Sequence, residues 1–174
     1  MKSACFTGHR VISNSERIRL SELLSEYIRR EIKNGLRDFY AGGAVGWDTL
    51  CAETVISLRN DFTELRLHLI LPCSGEAQTA KWSDKQRKDY YRILESADSV
   101  EYISDKYYNG CMKRRNERLV EEADVCLCYY DEKNGRSGTG QTVRLSLEKG
   151  IKAINFKLGK IYFSDGQTRL ELPK

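Results

Sequence analysis

The residues best placed to do chemistry fall in one run, Gly42-Gly43-Ala44-Val45-Gly46-Trp47-Asp48, directly after Tyr40-Ala41. Glycines stand here between a short apolar stretch and a helical pattern. Glycine lacks a Cβ, so the chain can turn tightly and a ligand can approach main-chain N–H groups. At a helix start four such groups have no intrahelical partner, and the dipole there is positive. That is the chemistry of an anion site, with phosphate the usual occupant. The spacing is neither the Gly-x-Gly-x-x-Gly of dinucleotide-binding turns nor a Walker loop ending in Gly-Lys-Ser/Thr. The run by itself leaves two readings open, a phosphate cradle or a turn made tight for packing.

The elements that must position these residues follow from apolar periodicity, which alternates between short strand-like and longer helical runs. The sequence predicts strands over 4–7, 38–41, 65–71, 99–103, 124–130 and 153–156, with 65–71 a central one. It predicts helices over 15–33, 47–60, 83–97, 112–122 and 139–149. In the first helix Ile18, Leu20, Leu23, Leu24, Tyr27, Ile28 and Ile32 form the expected apolar face. The run 124–130 is almost wholly apolar, as a parallel strand covered on both faces should be. The tail alternates apolar and polar residues around Asp165-Gly166, a hairpin signal.

Strand–helix alternation predicts right-handed crossovers and a doubly wound, mostly parallel α/β sheet. The expectation is one domain over 1–174, with 157–174 a C-terminal hairpin extension. Open sheets of this kind bind ligands beyond the carboxyl ends of their strands. Those ends carry Gly8-His9-Arg10, Gly42-Gly43, Pro72-Cys73-Ser74-Gly75 and, after a polar loop, Ser137-Gly138-Thr139-Gly140. Glycine-rich polar segments far apart in sequence thus converge on one edge, and this favours a phosphate-bearing ligand over a packing turn.

Each residue at that edge has a functional and a structural reading. Arg10 could hold a phosphate bidentately or cap a carbonyl at the surface. His9 could donate a hydrogen bond or move a proton, or else brace a neighbouring loop. Trp47 could stack on a base or fill the core. Asp48 suits a helix dipole and could also hold a ribose hydroxyl. Arg115 and Asn116 open a helix aimed at the same edge. Thr139 and Thr142 offer hydroxyls, while Gly138, Gly140 and Gly46 offer exposed N–H groups.

Composition narrows the classes. The chain has 174 residues, 40% hydrophobic and 31% charged, an ordinary balance for one globular core. No apolar run approaches the roughly 20 residues that span a bilayer, and the first residues are too short a run for a signal peptide. A cytoplasmic protein that does not engage the membrane is the expectation. Six cysteines lack regular spacing and there is no Cys-x-x-Cys, so neither disulfides nor a zinc site is expected. Cys73 and Cys111 fall in predicted loops near the site, where inert thiols are favoured over reactive ones. The net charge is +4. The basic cluster Lys113-Arg114-Arg115 with Arg118 is interrupted by Glu117 and followed by Glu121 and Glu122, which reads as a helix and disfavours a nucleic-acid stripe.

The strings Cys5-Phe6-Thr7-Gly8-His9-Arg10, Gly42-Gly43-Ala44-Val45-Gly46-Trp47-Asp48, Leu71-Pro72-Cys73 and Gly110-Cys111-Met112 with Arg115-Asn116 resemble, in that order, the YpsA-like branch of the SLOG superfamily. The resemblance runs from about residue 1 to 157. It implies a Rossmann-like domain related to LONELY GUY phosphoribohydrolases and DNA-processing protein A. It further implies a nucleotide or nucleotide-derived ligand in a sensing role and, by analogy, a homodimer. Val11 departs from the proline that usually follows Gly-His-Arg in this branch. LONELY GUY enzymes carry a Met-x-x-Arg helix, which Met112 and Arg115 resemble. Their Pro-Gly-Gly-x-Gly-Thr-x-x-Glu loop resembles Gly138-Thr139-Gly140-Gln141-Thr142, with Thr142 where the catalytic glutamate would stand. Glu148 lies too far along the helix to replace it, and Asp48 or Asp131 would have to act from another loop. The reading is therefore a nucleotide-binding sensor with no catalytic residue, no metal and no required cofactor. Its alternatives are a nucleotide hydrolase and a single-stranded nucleic-acid-binding module.

Overall fold

The computed structural model describes residues 2–134 and 136–170. Gly135, within the polar loop, and residues 171–174, the end of the expected hairpin extension, lie outside the described residues. In chain order the elements are β1 (Ser3–Gly8), α1 (Asn14–Ile32), β2 (Asp38–Ala41), α2 (Trp47–Leu58), β3 (Arg66–Leu71), α3 (Gly75–Thr79), α4 (Asp84–Ser96), β4 (Ser99–Tyr102), α5 (Cys111–Glu121), β5 (Val125–Tyr129), α6 (Gly138–Glu148), β6 (Ala153–Asn155), β7 (Lys160–Tyr162) and β8 (Thr168–Leu170).

The strands form one sheet in the order β4-β3-β2-β1-β5-β6-β7-β8. Pairing is parallel from β4 through β6 and antiparallel for β6-β7-β8, so the tail is the expected hairpin. The order reverses between β1 and β5, where Cys5 pairs with Cys126 and Gly8 with Tyr129. Such a reversal leaves a crevice, because the connections on either side run to opposite faces of the sheet.

Period-two alternation along β1 and β5 sorts side chains between two cores. Ala4, Phe6, Val125, Leu127 and Tyr129 pack with α1, α2 and α4 on one face. Cys5, Cys126 and Cys128 pack with Leu119, Val120 and Val143 from α5 and α6 on the other. Helix α1 stops at Gly35, whose φ of 92° suits the left-handed turn after a helix. Ser83 and Gln86 form a reciprocal capping box at the start of α4.

The structure corrects several expectations. Ile18 does not belong to the apolar face of α1: it is 68% exposed, whereas Leu20, Leu24, Tyr27, Ile28 and Ile32 are buried. Strand β3 is not central but second from the edge, with β4 outside it. Helix α3 has no counterpart in the sequence reading, since five residues are too few to show periodicity. Cys111 opens α5 and is no loop residue, and both it and Cys73 are fully buried. No helix among the described residues is long and apolar enough to cross a membrane.

Candidate functional site

At the carboxyl end of the sheet, over the β1/β5 reversal, lies a cavity of ≈ 250 Å³. Phe6 to Arg10 form its floor at the end of β1. Ala44 and Asp48 come from the β2–α2 turn, Met112, Arg115, Asn116 and Leu119 from α5, and Ser137, Gly138 and Thr139 from the start of α6. The N-terminal ends of three helices therefore meet there. Those of α2 and α5 begin at Gly46 and Gly110 without a side-chain cap, whereas Ser137 caps α6 by accepting from Gly140 N.

Arg115 is the central cation. Its Nη1 donates to Gly42 O and stands 3.8 Å from Asp48 Oδ2. Its Nη2 has only the Met112 sulfur, at 3.9 Å, and its Nε has no partner among the described residues. A buried guanidinium normally satisfies its five donors. Here burial pulls the Arg115 pKa down, and the Asp48 carboxylate opposes it. Burial likewise raises Asp48 above the usual carboxylate range against Arg115 and the Ala44 and Gly42 N–H groups. Arg10 is exposed at the rim and has no hydrogen-bond or ion-pair partner among the described residues.

His9 braces a loop. Its Nε2 accepts the Asp131 N–H at 2.8 Å, so its proton sits on Nδ1. Burial, with Lys157 nearby, lowers its pKa. Asn116 links α5 to α6 through Gly138 O at 3.5 Å and Gln141 Oε1 at 3.3 Å.

Gly8, His9, Arg10, Asp48, Arg115, Asn116, Gly138 and Thr139 thus share one cavity wall, while Gly42, Gly43, Gly46, Trp47, Gly140 and Thr142 do not. Trp47 is 0% exposed; its Nε1 donates to Leu127 O and its ring stacks on Tyr129, so it fills the core. Thr142 is buried and spends its hydroxyl on Gly138 O, 3.1 Å away. The glycines of the β2–α2 turn serve packing. A Cβ on Gly42 would lie 1.5 Å from Arg115 Nη1, and one on Gly46 2.5 Å from Arg10 O. Gly43 has a φ of 65° and faces Leu71. Of the other carboxylates, Asp131 pairs with Lys157 at 3.7 Å away from the cavity, and Glu148 is exposed.

The sequence reading missed a second, adjoining lobe of ≈ 200 Å³, walled by Arg10, Ala44, Met112 and Arg115 and by Gln78, Lys81, Trp82 and Tyr107 among others. The one signal for it was a tryptophan and a tyrosine in polar loop sequence, which single-sequence periodicity does not interpret. No group of three or more His, Cys, Asp or Glu among the described residues is placed to hold a metal ion.

Fold and cleft define a Rossmann-like α/β domain with an arginine-lined crevice at the sheet's point of reversal. The model of the YspA SLOG family matches residues 12–163, and the chain belongs to that family. Among similar sequences, UPF0398 protein BH1768 of Halalkalibacterium halodurans is 30% identical, over 76% of this chain and 74% of its own length. UPF0398 protein SERP1017 of Staphylococcus epidermidis is 28% identical over 68% of this chain, and the match spans 63% of that relative's length. Among solved structures, DNA processing protein A from Helicobacter pylori, studied for its single-stranded DNA binding mode, superposes with a TM-score of 0.59 at 19% identity, over 87% of this chain and 63% of that one. The structural-genomics target TM1055 superposes with a TM-score of 0.54 at 18% identity, over 88% and 72%. At these identities the two structures speak for the fold.

Proposed function

We propose that the crevice binds a small phosphorylated ligand of the nucleotide class, and that the protein acts as a sensor of it. The observation that carries this reading is the buried Arg115 guanidinium in the cavity wall, whose Nε has no partner among the described residues, with Arg10, likewise unpaired among them, beside it. A phosphate oxygen supplies acceptors that such a fork lacks. The open N-terminal ends of α2 and α5 add positive potential at the same point.

Single-stranded DNA, which the Helicobacter protein binds, is less well supported as a ligand here by the charges of α5. Arg114 pairs with Glu117 and Glu121, and Arg118 with Glu101 and Glu122, so the basic cluster is neutralised within the protein. Hydrolysis of a nucleotide is the second reading, favoured by Asp48, a cavity-lining carboxylate with a raised pKa. It is weakened by the ion pair that occupies that carboxylate.

Thermal-shift measurements with nucleoside monophosphates, NAD, cyclic nucleotides and a single-stranded oligonucleotide test the proposal. A ligand at 100 times its Kd stabilises by about 2.7 kcal/mol. A shift with mononucleotides and none with DNA is expected. The absence of a shift with every phosphorylated compound would overturn it. Free base in the reaction mixture, lost in Asp48→Asn, would establish hydrolysis.

A further inference from the structure

The second lobe opens off the first at Arg10, Ala44, Met112 and Arg115, so both share one cationic waist. Its far wall is aromatic. Trp82 sits between α3 and α4; its main-chain N–H donates to Thr79 O, and its ring makes an edge-on contact with Tyr90 at 5.6 Å. Tyr107, from the β4–α5 loop, is 61% exposed. Gln78 of α3 donates its Nε2 to Gly43 O at 2.7 Å, which fixes the amide, and its buried Oε1 has no partner among the described residues.

An exposed tyrosine ring, a half-buried tryptophan ring and one fixed acceptor without a partner among the described residues are the equipment for a flat ring that carries an N–H. Aromatic side chains take nucleobases by stacking, and an amide oxygen reads a base edge by accepting from it. The lobes of ≈ 250 and ≈ 200 Å³ together reach the size range of about 300–1,000 Å³ usual for small-molecule sites. We propose that the second lobe is the ring subsite of a two-part ligand: a planar heteroaromatic base lies against Trp82 and Tyr107, with its sugar phosphate at Arg115 and Arg10. This rests on the phosphate reading of the first lobe. It adds that helix α3, Gln78 and Trp82 select the ligand.

Calorimetric titration of the intact chain with the four common ribonucleoside 5′-monophosphates and with ribose 5-phosphate tests the subsite. At least one mononucleotide binds tighter than ribose 5-phosphate by about tenfold or more, the lower range for one base–aromatic stack. Tyr107→Ala and Trp82→Ala remove that advantage and leave ribose 5-phosphate affinity unchanged. Tyr107 is exposed, so its variant folds even where loss of Trp82 loosens the contact with Tyr90. Trp47 is enclosed, and quenching of tryptophan fluorescence by the nucleotide therefore reports Trp82 and disappears in Trp82→Phe. Ribose 5-phosphate binding as tightly as every mononucleotide overturns the subsite and spares the phosphate site. Binding by none of the five compounds overturns both.

Discussion

Asp48 and Arg115 face each other across 3.8 Å with 6% and 10% of their side chains exposed, at the meeting of two helix starts. Each offsets the other's loss of water: burial disfavours both charges, and proximity restores them. The pair is thus part of the fold as well as of the crevice wall. Among the described residues no second carboxylate pairs with Arg115, and its Nε is buried without a partner.

Arg115→Ala strands a buried carboxylate, and breaking a buried pair in this way costs about 3–5 kcal/mol. Urea denaturation at neutral pH should show a loss of that order, and a smaller loss at acid pH, where Asp48 protonates. In the double variant Asp48→Asn, Arg115→Ala the loss should fall short of the sum of the two single changes, because the residues interact. A loss independent of pH and additive in the double variant would contradict the pairing.

Arg10→Ala separates binding from stability. The side chain is exposed and unpaired among the described residues, so the free protein's melting temperature should not move. Affinity for a bound mononucleotide should fall by about 1.5–3 kcal/mol, the range for a charged hydrogen bond. Calorimetry on the purified variant measures this directly.

Two glycines behave oppositely. Gly43→Val forces a β-branched residue to a φ of 65° against Leu71, and the backbone strain alone costs about 1–3 kcal/mol. At Gly138 a Cβ would meet nothing nearer than Asn116 Nδ2 at 3.8 Å, and the residue lines the cavity. Gly138→Val should fold normally and bind mononucleotide poorly. Thermal melts and titrations of both variants distinguish the packing glycine from the site glycine.

His9 gives a pH signature. Its Nε2 accepts the Asp131 N–H, and burial lowers its pKa below the ordinary 6.5. The unfolded chain then takes up the proton first, so the contribution is complete above pH 6.5 and is lost as pH falls through the lower folded value. Urea midpoints between pH 7.5 and 5 should drop more for the wild type than for His9→Asn. Equal slopes would show that the imidazole is not held neutral.

Most strands and helices, and the edge where chemistry gathers, are written in local patterns; helix α3 and the place of β3 in the sheet are not. Apolar alternation acts within a few residues of itself, and a linear reading finds it. Thus Gly8, His9, Arg10, Asp48, Arg115, Asn116, Gly138 and Thr139 could be placed at one crevice from sequence. What each side chain does there could not. Arg115 takes Gly42 O across 73 positions of sequence, and Trp47 reaches Leu127 O across 80. Those contacts decided that Gly42 makes room for a guanidinium and that Trp47 belongs to the core. They also set Trp82 and Tyr107 around a second lobe. Local propensity fixes elements because its physics is short-ranged; burial and pairing arise only when distant segments meet, and only the tertiary structure decides them.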